Sequence, residues 1–299
     1  MDIKVVRIKG GDSLGNQMFE YGYIRMLQIK YKSTVYADFS ALEKDYCDTK
    51  IAQNIDCFNL ETIKATKEDL KRVCIFSHNQ KFGSLLYKAL LWIEIKLNKA
   101  YYFEKNRAYI PPNDLAKYKY FDGYWQSWRY LIGLEKTLRD ELLPKDKPSL
   151  RLTKAKSIIS CGPSAFVGFR KGDYTAKAAL KRYGTISESY YLKAMSYIRL
   201  KAPGVTFYVF SNDINWVKSN INFAGYHVVF VDRSFGLNTI EEQQLMMCCQ
   251  NAIIPNSTFH WWGAWLIQNP NKIVIAPEKW FVDGSPIDII PPEWIQMPR

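Results

Sequence analysis

Three short clusters in this 299-residue chain combine residue types that bind phosphates or sugars. The first is Gly10-Gly11-Asp12-Ser13-Leu14-Gly15-Asn16-Gln17. Its glycines allow positive φ and close backbone approach, and a helix start following such a loop offers free N–H groups to a sugar or a phosphate. The same spacing also fits a plain tight turn, and it is not the GxGxxG of a dinucleotide site. The second is Phe169-Arg170-Lys171-Gly172-Asp173-Tyr174, two cations beside a carboxylate. A guanidinium grips two phosphate oxygens at once and a lysine adds a point charge, which suits a pyrophosphate. A surface ion pair of Arg170 or Lys171 with Asp173 is the plainer alternative. The third is Asn256-Ser257-Thr258-Phe259-His260-Trp261-Trp262. Ser257 and Thr258 either cap a helix or, together with its free N–H groups, bind an anion. Trp261, Trp262 and Trp265 lie in an apolar helical stretch and are expected in the core.

Each cluster follows a short apolar run, so strands must position all three. The opening reads as a strand over 4–8, a glycine-rich turn, a helix over 18–30 and a strand over 34–37. Residues 40–150 yield only two helices, 84–97 and 130–142. Pro144 and Pro148 flank Lys145-Asp146-Lys147 and mark a boundary, placed near 144–157, because proline does not extend a helix. Beyond it strands over 165–169, 205–210, 226–231, 252–254 and 272–275 alternate with helices over 187–200, 213–221, 239–249 and 258–268. Thr185 stands three residues before Glu188, as in a capping box. Such alternation predicts an α/β fold with parallel sheets covered on both faces, divided into domains 1–150 and 151–299. In open sheets of this kind ligands bind beyond the carboxyl ends of the strands, where the clusters fall.

The composition, 47% hydrophobic and 23% charged, is that of an ordinary globular chain rather than a disordered one. Six cysteines without a CxxC pair and only three histidines offer no zinc or redox motif. No D-x-D pair is present to hold a divalent metal on a nucleotide diphosphate, and GxxxxGKS/T, HExxH and GxSxG are absent too. No metal site and no cofactor are expected. The net charge of +12 points to phosphate-bearing partners, but the cations are scattered and no nucleic-acid module is recognisable, so nucleic acid is not expected among them. No apolar stretch reaches the length of a membrane span and the start lacks a signal-peptide pattern, which leads to an expectation of a cytoplasmic protein.

In order and spacing the clusters resemble the bacterial α-1,2-fucosyltransferases of glycosyltransferase family eleven. GGDSLGNQMFEY is similar to the family's GGLGNQMFQY, FRKGDY to its H-x-R-R-x-D segment, and NSTFHWWGAWL to its matching turn and helix. FYVFSNDINWVKSN also resembles the family, so the likeness covers residues 1–30 and most of 164–282. It implies a GT-B architecture of two Rossmann-like domains facing a cleft, the C-terminal one holding GDP-fucose. It further implies inverting, metal-independent transfer of fucose to the 2-hydroxyl of a β-galactoside. Carried over by position, Arg170, Lys171, Asn256, Ser257, Thr258, Phe259 and Asp213 bind the donor, while Gly11, Gly15, Asn16 and Gln17 line the acceptor side or the reacting centre.

Three departures stand out. The motif's histidine, near the guanine in related enzymes, is Gly168 here; its second arginine is Lys171; and Asp12-Ser13 is inserted after the two glycines. An inverting transfer needs a base on the acceptor hydroxyl and positive groups on the leaving diphosphate. Arg170 and Lys171 supply the charge, and the base is ranked Asp173, then Asp12, then Glu20. A fucosyltransferase of another linkage or acceptor, protein O-fucosylation included, is the rival enzyme. A basic, non-catalytic protein binding nucleic acid or a membrane surface is the rival of another class. The family's acceptors include lipid-linked glycans built at the inner membrane face, so peripheral contact with an anionic membrane is a further expectation. Helix 84–97 carries Leu86, Leu90, Ile93 and Leu97 at helical spacing near Lys81, Lys88, Lys96 and Lys99. That stripe either faces the core, the favoured reading, or lies on such a membrane.

Overall fold

A computed structural model of the chain describes residues 3–8, 14–32, 34–40, 55–76, 84–170 and 177–299. Two compact units emerge, Met1–Lys145 with Pro286–Ile289, and Asp146–Ser285 with Ile290–Arg299. The passage between them falls in the Pro144–Pro148 stretch, but the return of Pro286–Ile289 to the first unit has no marker in the sequence.

The first unit is built on a parallel sheet of β1 (Lys4–Arg7), β2 (Val35–Asp38), β3 (Ile63–Lys64), β4 (Tyr101–Phe103) and β5 (Tyr120–Asp122), in the order β3-β2-β1-β5-β4. Helix α1 (Leu14–Tyr31) follows β1, and the short α2 (Lys67–Val73) and α3 (Ser84–Leu97) lie between β3 and β4. The buried strands end in charge: Arg7 pairs with Asp122 at 3.0 Å, Tyr101 donates to Asp122 at 2.7 Å, and Tyr120 donates to Asp38. Paired and hydrogen-bonded in this way, the carboxylates tolerate burial.

Three expectations change in this unit. Helix α1 starts at Leu14 rather than near Met18, so Gly15, Asn16 and Gln17 occupy its first turn instead of a loop. The helix expected over 130–142 is broken: a 3-10 turn over Trp128–Leu131 is separated by Gly133, at φ +78°, from α4 (Glu135–Glu141). On α3, Leu91 and Ile95 pack on the sheet and Glu94 is buried, accepting hydrogen bonds from the Ile75 and Phe76 N–H groups. The Leu86–Leu97 stripe is therefore not the face that covers the core, since Leu86 and Leu97 are 50% and 68% exposed.

The second unit begins with α5 (Leu150–Ile159), which went unread in the sequence and is capped by Ser149. Its six strands are β6 (Ser164–Phe169), β7 (Thr206–Ser211), β8 (His227–Phe230), β9 (Asn251–Ile253), β10 (Val274–Pro277) and β11 (Ile295–Met297). They pair in parallel in the order β11-β10-β9-β6-β7-β8. The helices are α6 (Lys177–Tyr183), α7 (Glu188–Lys201), α8 (Ile214–Asn220), α9 (Thr239–Met247) and α10 (Thr258–Trp265). The α7 cap is Ser187, accepting from the Tyr190 N–H, rather than Thr185. Alternate residues of β6 serve two layers: Ala165, Val167 and Phe169 join the α7 and α8 core, and Phe166 turns towards α10, meeting Gly263 and the His260 ring. Trp261 and Trp262 are wholly buried and Trp265 nearly so, packing on one another and on Trp294. The five described cysteines are free thiols.

Candidate active site

Strand order fixes where a ligand can enter. From β6 the chain moves outward to β7 and β8, then crosses back to β9 on the other side of β6. Connections after β6 and β9 diverge at this point, leaving a crevice at their carboxyl ends, the usual ligand position in doubly wound sheets. Arg170 follows β6 directly, and Asn256, Ser257 and Thr258 follow β9. The fold brings the second and third clusters together: Arg170 Nη1 donates to Ser257 Oγ at 3.3 Å.

Ser257 holds the N-cap position of α10 in extended geometry, yet its hydroxyl makes no capping hydrogen bond. The hydroxyl meets the guanidinium instead, beside the helix start, where amide N–H groups and a cation converge on one side of the crevice. That arrangement has the chemistry to suit an anion with two or more oxygens. Asn256 holds the turn in place, its amide donating to the Tyr183 and Trp280 carbonyls at 2.9 and 3.0 Å. Thr258 is buried in the first turn and Phe259 is half-buried beside it. Asp213 has a structural engagement, capping α8 by accepting from the Trp216 N–H at 3.0 Å. Lys171 and Asp173 lie outside the described residues.

His260, the next inward residue of α10, is 6% exposed, and burial together with the Arg170 charge lowers its pKa to about 3. The imidazole therefore stays neutral beside the guanidinium. Glu242 on α9 is a carboxyl that residue spacing did not reveal; burial alone raises its pKa to about 7. α9 packs against α10, where Met246 meets Gly263 one helical turn beyond Glu242. Among the described residues no group of three or more His, Cys, Asp or Glu converges.

The first unit has a switch point of its own, between β1 and β5. Asn16 accepts from Gln126 Nε2 at 2.7 Å, and Gln17 accepts from the Ile55 N–H at 2.8 Å with its side chain almost wholly buried. Gln126 follows Trp125, a buried residue at φ +54° stacked on Tyr23. A non-glycine residue held in that region costs about 1–3 kcal/mol and tends to sit at functional sites. Trp125 and Gln126 were not among the expected residues, since nothing periodic surrounds them. Gly15 lies in the same helical turn; Gly11 and Asp12 lie outside the described residues. Glu20 has no exposed surface, so a ligand does not reach it in this conformation.

Two parallel α/β units, one with Arg170 at its switch point, have the two-domain architecture of the GT-B fold. The fold matches that of POFUT1 in complex with GDP-fucose at a TM-score of 0.51, 12% sequence identity and coverage of 92% of this chain and 98% of that one. Residues 91–297 match the model of Glycosyl transferase family 11, and the chain belongs to that family. Over 97% of its length it is 32% identical to 99% of the O-antigen biosynthesis glycosyltransferase WbnK of Escherichia coli. It is also 28% identical, over the full length of both chains, to an alpha-1,2-colitosyltransferase of Escherichia coli.

Proposed function

We propose that this glycosyltransferase moves L-fucose from GDP-β-L-fucose to the 2-hydroxyl of a terminal β-galactoside, inverting the anomeric carbon without a metal. The observation that carries the reading is the Arg170–Ser257 contact at the start of α10, a cation beside a helix start, in a chain of this family. In the reaction the acceptor oxygen bonds to the anomeric carbon as that carbon's bond to the β-phosphate oxygen breaks. GDP leaves with the electron pair, and a carboxylate takes the hydroxyl proton. Arg170 and Lys171, with the helix start, stabilise the charge growing on the diphosphate. Asp173 or Asp12 is assigned as the base, and the first turn of α1 with Asn16 as the acceptor side.

The full-length likeness to a colitosyltransferase favours a second reading in which the donor sugar is colitose. One assay separates the two. GDP release is measured from GDP-fucose and GDP-colitose with lactose, N-acetyllactosamine or a Galβ1,3 disaccharide, with and without excess EDTA. Release from GDP-fucose that survives EDTA and yields an α-1,2 product is expected. A preference for GDP-colitose would reassign the donor. Loss with EDTA that manganese or magnesium restores would refute the metal-free mechanism.

A further inference from the structure

Gly168 lies on β6 and Arg170 one residue past its end at Phe169, so strand alternation carried one residue on puts both on one face. This face meets α10: Arg170 touches Ser257, and Gly168 lies under His260. A Cβ at position 168 would stand 2.2 Å from Cδ2 and 2.7 Å from Nε2 of that ring. Real contacts are never so short, so the imidazole occupies the space that a side chain at 168 would need. The ring is nine-tenths buried, and its Nδ1 has no hydrogen-bond partner among the described residues. Burying an imidazole nitrogen without a partner is unfavourable, and leucine would fill the same space without that cost.

We propose that His260 is a positioning residue of the donor site, entering from α10 through the gap at Gly168 to back the Arg170 guanidinium where it meets a nucleoside diphosphate. The inference rests on the reading above that this crevice binds such a ligand. A protonated ring there would repel Arg170, whereas the neutral ring supplies a lone pair that the guanidinium can use once phosphate draws it from Ser257. Glycine at 168 and histidine at 260 then act as one unit.

GDP affinity and thermal stability, measured together, test this. His260→Leu, similar in volume and apolar, is expected to keep or raise its melting temperature but to bind GDP about tenfold more weakly or worse. His260→Gln, which keeps a polar acceptor, is expected to lose less. In a His260→Ala background, Gly168→His returns an imidazole to the vacated space and is expected to restore GDP affinity, while Gly168→Leu restores only stability. GDP affinity unchanged in His260→Leu, or recovered equally by both residues at 168, would overturn the proposal. A wild-type chain that binds no GDP would instead overturn the donor reading beneath it.

Discussion

Arg170 is a charged side chain that the structure places at the carboxyl end of β6 in contact with the α10 turn. Its part is geometric as well as electrostatic, because a guanidinium can span two phosphate oxygens and an ammonium cannot. Arg170→Ala is expected to reduce kcat/KM by a hundredfold or more, about 3 kcal/mol of lost transition-state stabilisation, with Arg170→Lys recovering part of it. Steady-state kinetics against the donor measure this, and a near-normal rate for the alanine variant would move the diphosphate site elsewhere. The meeting of Arg170 with the Ser257 turn was legible because strand, cation and turn follow one another in the sequence. His260 was not: its significance comes from contact with a glycine on another element, and glycine leaves no side chain in the sequence to signal what packs on it. Gln126 was hidden for a related reason, since its partner Asn16 is 110 residues away and the intervening chain shows no regular period.

At the scale of elements, the second unit was readable because its strands and helices alternate strictly, each strand a short apolar run ended by a turn residue. In the first unit β3, β4 and β5 are two or three residues long, too short for an alternating pattern to register against the polar chain around them. The helices also carry consequences that no sequence period displays. Glu242 on α9 is protonated in the fold up to about pH 7, while an unfolded glutamate ionises near 4.5. The unfolded chain thus binds fewer protons between those values, and stability falls as pH rises from 4.5 to 7. His260 on α10 acts in the opposite direction: the unfolded ring takes up a proton below about 6.5 and the folded ring only near 3, so stability falls as pH drops through that window. Glu242→Gln removes the first effect alone. It is expected to raise the melting temperature by several degrees at pH 8, from a shift worth about 3 kcal/mol at most, with the gain gone by pH 4.5. Melting curves across pH decide it, and a gain independent of pH would mean that the carboxyl is not held protonated.

For the whole molecule the outstanding quantity is the surplus of twelve positive charges, far more than one diphosphate requires. No helix among the described residues is long and apolar enough to cross a membrane. Helix α3, however, presents Trp92 and Leu97, 62% and 68% exposed, with Leu86 half-exposed. Lys88, Lys96 and Lys99 are exposed on or just beyond it, and Lys81 lies outside the described residues. The sheet packs on the Leu91 and Ile95 side of this helix, while Leu86, Trp92 and Leu97 are open to solvent. Apolar side chains edged with lysine suit the boundary of an anionic bilayer, where the chain would meet a lipid-linked acceptor, and we propose peripheral attachment through α3. Each lysine near such a surface adds about 1 kcal/mol, screened as salt is raised. Co-sedimentation is expected with vesicles containing phosphatidylserine or phosphatidylglycerol but not with neutral ones, weakening with salt. Trp92→Glu with Leu97→Glu is expected to abolish it while leaving soluble-acceptor activity intact. Protein that stays in the supernatant with anionic vesicles at low salt would refute the attachment and leave the exposed face of α3 without that role.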